Sequence, residues 1–587
     1  MSVRFQFLTI FLCVTAFANL PAGQVRAQTY YVSQQNGSDA NNGLSASAPF
    51  ETVDEALDVL GPGDTLLFMG EFTNEGFDAD YVYSNNIEDP YIWKEENTIR
   101  INNLNGSDGN YITLKAFDED TILRGDGSNI FRVTNSSYLR IEDFEMVGIV
   151  DQVSLDTALA LQFLYRQDGT PPTLYREQPG TPDTQVEATT YPALDNVKRP
   201  TYTDTRGIYF SNVHHIDFLN NEVHHTTGNG FRVQGCDYIK IIGNEVHNTS
   251  RKSYSGTHGM VVTNAESFDN SDDYKIFIQK NEIHHNYNEI YSWAPTKTII
   301  TPRIDEGKGI SLQRNEIDDN DTPNNPNDDT GWTHGRMLIE NNMTYWNGFS
   351  GIHSNNGLRL DFINNTSYFN SYTNTVTYAD GDQNGKNIGA SAQGGDDNKF
   401  INNVIFIDNA WSGFPISLAN ETNAEVKNNL VYGINGSLTQ DSDVTAIAVG
   451  TIEGDPLFED VEAFDFRLTL DSPAIGNADA AFSPEDDFFG FIRDANPDRG
   501  AAEFDDNLSV TSFKIAEISV YPNPFNDRLH IKTTSQIQNV QLFNFLGQEV
   551  ALRTKISSQN DILDVSYVPS GVYFLRVNGI VKKLIKN

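Results

Sequence analysis

Cysteine is scarce in this sequence, which has two among its 587 residues. A small secreted scaffold held together by several disulfides is therefore excluded. One of the two, Cys13, lies in an N-terminal segment that we expect to be removed on export, which leaves only Cys236. Since no intramolecular disulfide can then form, we expect the fold to be held by its apolar core and its hydrogen bonds, with metal ions as an additional support.

Basic residues are also few, because 40 Lys and Arg stand against 80 Asp and Glu and give a net charge of -40. This charge excludes a non-specific nucleic-acid binder, whose affinity comes from neutralising phosphates, and it argues against docking on anionic lipid. Apolar residues make up 38% of the chain, with 36 Phe and 25 Tyr. That content is enough for large cores, so the chain is not disordered as a whole.

Long apolar runs are missing except at the very start of the chain. Arg4 precedes a mostly apolar run over residues 5–20, and Val25-Arg26-Ala27 follows before Gln28. A basic start, a short apolar core and small residues at a cleavage site are typical of a secretory signal peptide. A membrane anchor is the alternative, but the run is short for one and no second run follows. We predict a signal peptide over residues 1–27 and no membrane span in the mature chain.

The composition changes near residue 505. From Ile518 onward the chain has eight basic and four acidic residues, whereas everything before it is heavily acidic. Short alternating segments separated by Pro522-Asn523-Pro524, Gly547 and Ser570-Gly571 predict strands and turns. We predict a linker over residues 505–517 and a small β-sandwich domain over residues 518–587.

Four motifs of this last segment resemble, in the same order, the C-terminal sorting domain of the type IX secretion system. The motifs cover residues 521–524, 546–550, 571–574 and 582–586. The resemblance implies a Bacteroidota bacterium, the type IX secretion machinery as a partner, and release from or attachment to the cell surface. An ordinary carbohydrate-binding sandwich is the alternative. In either case the domain says where the protein goes, and its activity has to be sought elsewhere.

A two-part pattern recurs between residues 200 and 430. The first part reads Gly-apolar-any-apolar, at residues 207–210, 230–233, 259–262, 309–312, 351–354 and 413–416. The second part alternates apolar residues and ends in asparagine, at residues 216–221, 239–244, 338–342, 400–403 and 426–429. Alternation predicts half-buried strands, and two strands per period of about 23 residues fit one coil of a parallel β-helix. The alternative, an antiparallel sandwich, would need tight hairpins and does not explain the recurrent asparagine, which suits a stacked turn.

The ends of this region fit the same architecture. Tyr30–Ser33 and Thr65–Phe68 are predicted strands on either side of a short capped helix that starts at Thr52. At the far end, residues 455–458, 466–468, 472–475 and 499–501 predict closing coils. We therefore predict an all-β chain, in which a right-handed parallel β-helix over residues 28–504 precedes the small β-sandwich.

These features together resemble secreted right-handed β-helix proteins of the pectate-lyase-like superfamily. The opening segment, the asparagine-marked coils and the closing segment carry the resemblance, which covers most of the chain. It implies a carbohydrate-active protein. It does not choose a reaction, because the superfamily includes polysaccharide lyases, glycoside hydrolases and uronan epimerases, and one fold hosts many activities.

The outward residues of stacked strands form a groove in a β-helix. The "any" positions of the repeat predict one line of outward residues, and these are Tyr209, Arg232, Val261, Ser311 and His353. The positions two residues further along predict a second line, and these are Gln234, Thr263, Gln313 and Asn355. Ten of the 11 histidines also fall in these coils. We predict that a polysaccharide lies across the coils and contacts Tyr209, Arg232 and Gln313.

A candidate acid-base cluster precedes one groove strand. Asp305, Glu306 and Lys308 stand next to it, and the insertion before them carries Tyr291 and Trp293, whose rings could stack on sugars. Hydrolysis requires two carboxyl groups facing the scissile bond. Because two sequence neighbours need not face the same sugar, a partner carboxyl from another coil remains open. A solvated charged turn is the alternative interpretation.

Elimination would require other groups. A uronic carboxylate must be neutralised by cations or calcium, and a base must take the C5 proton; His258, His353, Lys308 and Arg232 are candidates. The pectate lyases that use a catalytic Lys carry it where this chain has Gln313, so that part of the resemblance fails. Clustered basic residues, including Arg336, favour an anionic substrate.

Two further groups need an assignment. Asp269, Asp272 and Asp273 are candidate calcium ligands, with a solvated loop as the alternative. His224, His247 and His284 recur at one phase of the repeat, which favours a structural role in a stacked turn. We predict a secreted, monomeric enzyme that cuts an anionic algal or plant polysaccharide internally. A glycoside hydrolase comes first, a polysaccharide lyase is the close alternative, and a non-catalytic glycan-binding surface protein is the third.

Overall fold

The computed structural model divides the chain into two compact units, Met1–Phe504 and Asp505–Asn587. The described residues of the first unit are 27–84, 91, 96–161, 175–177, 185–187, 201–253, 255–290, 306–322, 324–371, 387–407, 413–433, 439–440 and 448–504. Those of the second unit are 519–521, 525, 528–532, 539–544, 549–554, 560–577 and 580–586. The predicted signal peptide, up to residue 26, and the predicted linker lie outside the described residues.

Stacked parallel strands build the first unit. The larger of its two ladders has nineteen described strands and covers two faces of each coil, since the longest strands bend at residues of positive φ such as Asn212 and His215. Its strands are Thr29–Val32, Thr65–Phe68, Asn97–Asn102, Ile112–Ala116, Asn129–Glu142, Arg206–Leu219, Phe231–Ile242, Met260–Thr263, Tyr274–Gln279, Ile310–Asn315, Arg336–Glu340, Ser350–Gly357, Leu360–Ile363, Asn387–Gln393, Lys399–Ile401, Gly413–Ala419, Glu425–Lys427, Thr439–Gln440 and Ala448–Val449.

Eleven short described strands form the third face. They are Glu71–Thr73, Ile122–Arg124, Glu145–Val147, Glu222–His224, Glu245–His247, Glu282–His284, Met343–Tyr345, Thr366–Tyr368, Val404–Phe406, Leu430–Tyr432 and Ile452–Glu453. Neighbouring strands pair in parallel in both ladders, with aligned registers from coil to coil. This arrangement confirms the predicted parallel β-helix and excludes the antiparallel sandwich.

The glycine of the repeat is explained by close approach of the coils. A Cβ atom added to Gly207, Gly230, Gly259 or Gly309 would lie 2.5 to 2.9 Å from the carbonyl oxygen of the corresponding glycine in the next coil. Such a distance is too short for a carbon and an oxygen. The first position of each groove strand therefore has to lack a side chain, and the neighbouring apolar residues fill the core on the inner side of the strand.

An asparagine ladder runs through the corner between two faces. In each step the side-chain amide donates to the side-chain carbonyl of the next asparagine at 2.9 to 3.1 Å, and the members are Asn221, Asn244, Asn281, Asn342, Asn365, Asn403 and Asn429. Each of them is almost fully buried. A second ladder joins Asn286, Asn347 and Asn370. The recurrent asparagines of the sequence thus stack as predicted.

The remaining elements lie at the ends and in the loops. The predicted helix is present as Val53–Val59, and the Thr52 hydroxyl caps it by accepting the amide hydrogen of Glu55. The others are a helix at Leu155–Leu161, 3-10 turns at Val150–Gln152, Thr201–Thr203 and Val461–Ala463, and the antiparallel pairs Tyr175–Glu177 with Gln185–Glu187, Ile317–Asp318 with Thr330–Gly331, and Phe458–Asp460 with Asp465–Leu468.

The closing segment differs from the expected coils. Its described residues after Ile452–Glu453 add no parallel rung and instead pack along the third face. Phe466 and Ala501 join Met343 and Tyr345 in a separate core, and the amide of Gly500 donates to the carbonyl of Asn402.

The second unit is described on its own. A three-stranded antiparallel sheet consists of Ser519–Tyr521, Arg528–Lys532 and Asn560–Asp564, and a four-stranded one of Glu549–Thr554, Asn539–Asn544, Gly571–Val577 and Ile580–Lys586. Leu529, Ile531 and Leu563 from the first sheet share a core with Leu542 and Leu575 from the second. Two antiparallel sheets around one core match the predicted small β-sandwich.

Candidate functional site

The register of the larger ladder brings the predicted groove residues onto one line. Tyr209, Arg232, Val261, Ser311 and His353 are successive Cα partners in parallel strands. Gln234, Thr263, Gln313 and Asn355 form the neighbouring line in the same way. Stretches of sequence more than a hundred residues apart therefore share one face of the molecule.

Access to this face is not uniform. Tyr209, Arg232 and Gln313 are half-buried, whereas Ser311 and His353 are buried. The prediction that a polymer would contact the whole line therefore fits its first part better than its last. His353 is held by Ser391, whose hydroxyl lies 2.7 Å from the Nδ1 atom, and burial together with Lys308 and His258 keeps its pKa well below the usual value.

Glu306, Lys308 and His258 form a compact cluster beside the groove. The Lys308 ammonium donates to the Oε2 atom of Glu306 at 2.7 Å, and the Nε2 atom of His258 lies 3.4 Å from the same oxygen. Both Lys308 and His258 are buried, while the Glu306 side chain retains 21% of its surface exposed. Glu306 is therefore the most exposed member of the cluster, and the other two contact its carboxylate.

The protonation of His258 follows from its surroundings. Both ring nitrogens face nitrogen donors, since Nδ1 lies 3.3 Å from the backbone amide of Lys308 and Nε2 lies 2.8 Å from the side-chain nitrogen of Gln313. A neutral ring accepts at one nitrogen only, so these two contacts alone do not select a tautomer. Burial is the main cause that holds the pKa of His258 well below its usual value, and the nearby charges of Lys308 and Arg232 add to it. The ring is consequently neutral at ordinary pH.

A second carboxylate, Asp204, was missed by the sequence analysis. It accepts hydrogen bonds from the hydroxyls of Ser253 at 2.5 Å and Ser255 at 3.1 Å. At the next residue of the same loop, a Cβ atom added to Gly256 would lie 3.1 Å from Glu306. Asp204 and Glu306 thus approach one short loop from the coils before and after it. Asp204 precedes the first glycine of the repeat by three residues, as Glu306 does in its own coil, and this shared phase was the available signal.

Several predicted residues do not join this cluster. Arg336 lies on a different strand of the coil and pairs with the carboxylates of Asp361 and Asp397 at 2.5 Å each. Its predicted role in substrate binding stays a prediction. Asp305, Tyr291 and Trp293 lie outside the described residues.

The predicted calcium ligands do not converge. One oxygen of Asp269 pairs with the buried Lys275 at 2.8 Å and the other accepts from the Tyr238 hydroxyl at 2.8 Å, and the bond from Lys275 lowers the pKa of Asp269 to about 2. Asp272 and Asp273 are exposed. Among the described residues, the three potential metal ligands whose ligand atoms lie within 4.8 Å of one another are Glu222, His224 and His247. Asp269, Asp272 and Asp273 do not form such a group.

That group belongs to a stack of rings on the third face. His224, His247, His284 and Tyr345 lie ring over ring, with centroids 4.7 to 4.9 Å apart and planes within 5° of parallel. The Nε2 atoms of the three histidines lie 3.0 to 3.2 Å from glutamates of the preceding coils. Imidazole lone pairs lie in the ring plane, so parallel rings at this spacing cannot both point at one ion. The predicted structural role fits, although these residues lie in strands rather than in a turn.

This stack predicts an acid-sensitive fold. Burial lowers the pKa of His224 from 6.5 to about 3, so the unfolded chain takes up protons first as the pH falls. The stabilisation is complete above pH 6.5 and is lost between there and about pH 3. We expect His224→Tyr, which imitates Tyr345 in the same stack, to reduce the loss of unfolding free energy between pH 7.5 and pH 4.5, as measured by chemical denaturation. Equal losses in both proteins would contradict the assignment.

Comparisons with known proteins identify the C-terminal domain and list distant structural neighbours. Residues 519–587 match the secretion system C-terminal sorting domain. A search of curated proteins found no match. Among solved structures, pectate lyase Pel9A is 15% identical with a TM-score of 0.40, covering 81% of this chain and 96% of that one. The GH136 lacto-N-biosidase from Eubacterium ramulus is 11% identical with a TM-score of 0.33, covering 72% and 67%. The Azotobacter vinelandii mannuronan C-5 epimerase AlgE4 A-module is 12% identical with a TM-score of 0.33, covering 72% and 98%.

The molecule is thus a parallel β-helix protein with a type IX sorting domain. This domain indicates secretion through that system or attachment at the cell surface, as predicted from its motifs. Within the described part of the chain, no helix has the length and apolarity needed to cross a membrane.

Proposed function

We propose that this protein cleaves an anionic polysaccharide within its chain, at the groove bordered by Arg232, Gln313 and Glu306. The supporting observation is one accessible carboxylate, Glu306, fixed by the buried ammonium of Lys308 and flanked by the neutral ring of His258. The three residues lie just before two stacked strands, and two buried partners that hold a reactive group restrict it to one position. A glycan-binding surface protein would not need that arrangement.

Hydrolysis is the reaction that two carboxylates support. Asp204 and Glu306 approach neighbouring residues of one loop, Ser255 and Gly256, and in this proposal a sugar bound at that loop lies between the two carboxylates. One group would protonate the leaving oxygen, while the other would attack the anomeric carbon or take a proton from water. Lys308 would keep the Glu306 side chain in one orientation, and Gln313 would donate to a sugar hydroxyl.

Elimination is the second candidate and rests on a separate observation. The guanidinium of Arg232 has no carboxylate partner within 4.0 Å among the described residues, which suits it to a uronic carboxylate. The neutral imidazole of His258 could then accept the C5 proton at Nε2, in the tautomer that carries its own proton on Nδ1, once the side chains that bury the ring had moved. Neutralised carboxylate and nearby base are the two requirements of that chemistry.

The test is a panel of polysaccharides incubated with the purified mature protein. New reducing ends without a rise in ultraviolet absorbance would support hydrolysis. New reducing ends with that rise would support elimination, because elimination leaves a conjugated double bond. A chelator arm tests the need for calcium. Binding without any chain cleavage would overturn the proposal in favour of a glycan-binding protein.

Asp204→Asn tests the second carboxylate. We expect this variant to lose on the order of 10² to 10⁴ of kcat in hydrolysis, since proton transfer by a positioned group contributes that much. The amide retains the size of the side chain and can still contact Ser253 and Ser255. Initial rates on the best substrate of the panel provide the measurement. A variant with unchanged kcat would remove Asp204 from the mechanism and leave elimination as the better reading.

A further inference from the structure

A column of arginines continues the groove toward the N-terminal end of the β-helix. Arg100 pairs in register with Arg132, which pairs with Tyr209, which pairs with Arg232. Adjacent strands lie about 4.8 Å apart, so three steps span about 14 Å along the helix axis. Arg100 and Arg132 thus extend the predicted groove line into coils that precede the repeats recognised in the sequence.

These arginines lack the partners that such residues normally have. Among the described residues, no carboxylate lies within 4.0 Å of the guanidinium of Arg100, Arg132 or Arg232, although acidic residues outnumber basic ones two to one in the chain. The Nε atom of Arg132 is buried and makes no hydrogen bond. By contrast, Arg140 on the same strand as Arg132 forms an ion pair with Asp217 at 3.1 Å.

The local charge is consequently positive in a strongly negative protein. Arg206 adds a fourth guanidinium, whose nearest described carboxylate, Asp204, is 3.9 Å away. The ring of Tyr209 lies under two of the cations, 5.7 Å from Arg132 and 5.4 Å from Arg206. Like charges this close repel each other and raise the free energy of the unliganded state. An anion would remove that repulsion.

We propose that Arg100, Arg132 and Arg232 bind successive anionic substituents, carboxylate or sulfate ester, of one polysaccharide chain that runs parallel to the helix axis. This inference rests on the proposed function for the identity of the polymer, but the binding itself does not require cleavage. Guanidinium groups suit both kinds of substituent because they donate in a planar fork. The extent of the column favours a polymer over a single small anion. Arg100 and Arg132 lie before the Glu306 cluster, so they bind a part of the polymer that is not cut, whereas Arg232 borders the site of cleavage.

The test measures binding and catalysis separately. Full-length mature protein and the double variant Arg100→Gln/Arg132→Gln are titrated with polygalacturonate, with a carrageenan and with neutral xyloglucan by calorimetry at several salt concentrations. We expect the variant to bind one of the two charged polymers at least about tenfold more weakly, and its dependence on salt to be shallower. Where a polymer is cleaved, KM should rise while kcat changes little. The charged polymer that shows the effect tells carboxylate from sulfate.

Arg140→Gln is the matched control, because it removes an arginine of the same strand that already has a carboxylate partner. It should leave the affinity within about twofold, and its thermal unfolding reports on general damage to the strand. Equal affinities of the double variant and the wild type would overturn the inference, as would a wild-type protein that binds neither charged polymer. Charge-dependent binding without cleavage would support the inference that the arginine column binds the polymer, and it would overturn only the proposed cleavage activity.

Discussion

Glu306→Gln is expected to abolish most of the catalytic activity, with kcat lowered on the order of 10³-fold and KM changed only slightly. The substitution preserves size and removes the negative charge that Lys308 pairs with at 2.7 Å. Either proposed reaction depends on this accessible carboxylate, as a catalytic group in hydrolysis or as the anchor of Lys308 and His258 in elimination. Initial rates on a cleaved polysaccharide give kcat and KM separately.

The control for this variant is Glu316→Gln, which removes an exposed carboxylate at the end of the same groove strand. It should leave both kinetic constants unchanged. Thermal unfolding of the two variants checks that neither loses the fold. A Glu306→Gln protein that retains the wild-type kcat would contradict the prediction and show that the cluster is a structural ion pair. Asp204 would then be the next carboxylate to test as a catalytic group.

Asn281→Leu is expected to reduce the free energy of unfolding by about 3 to 5 kcal/mol, the largest effect on stability that we predict. Asn281 is fully buried and connects three coils. Its amide donates to the carbonyl of Ile241 at 2.9 Å and to the side chain of Asn342 at 2.9 Å, while its side-chain oxygen accepts the backbone and side-chain hydrogens of Asn244. Leucine has a similar volume but removes all four of these bonds, so the Asn342 side-chain oxygen and the Asn244 side-chain amide each lose one of their buried partners.

Chemical denaturation of the mature chain measures the loss. The exposed Asn270→Ala serves as the control and should fall within about 0.5 kcal/mol of the wild type. Because each coil contacts only its neighbours, the substitution should destabilise the coils around it more than the distant ones, and hydrogen exchange of those amides can locate the effect. A loss no greater than that of the control would mean that the ladder is incidental to stability.

The sequence was sufficient for the scaffold because its constraints are local and repeated. A glycine that cannot carry a Cβ and an asparagine that bonds its copy in the next coil both recur at a fixed phase. The fold class, the capped helix after Thr52 and the sorting domain followed from such signals. Registers then placed Arg232 and Ser311 on one line without further information.

The candidate site was harder, since burial and pairing depend on what covers the groove. The alternation of apolar and polar residues does not distinguish the half-buried Arg232 from the buried His353. The residues next to Arg336 in the sequence do not predict its ion pairs with Asp361 and Asp397. The arginine column could have been predicted from a repeated tripeptide. Phe-Arg-Val at residues 131–133 repeats letter for letter at residues 231–233, and two copies of a strand at matching phase predict stacked side chains.

The asparagine ladder also bears on how such a chain diversifies. Successive members are separated by 23, 37, 61, 23, 38 and 26 residues, yet the bond that joins them hardly changes. Rung spacing is therefore independent of the amount of chain between rungs. Insertions of a few tens of residues can accumulate at the corners between strands without cost to the framework, so new specificities can evolve in the loops while the supporting architecture is inherited intact.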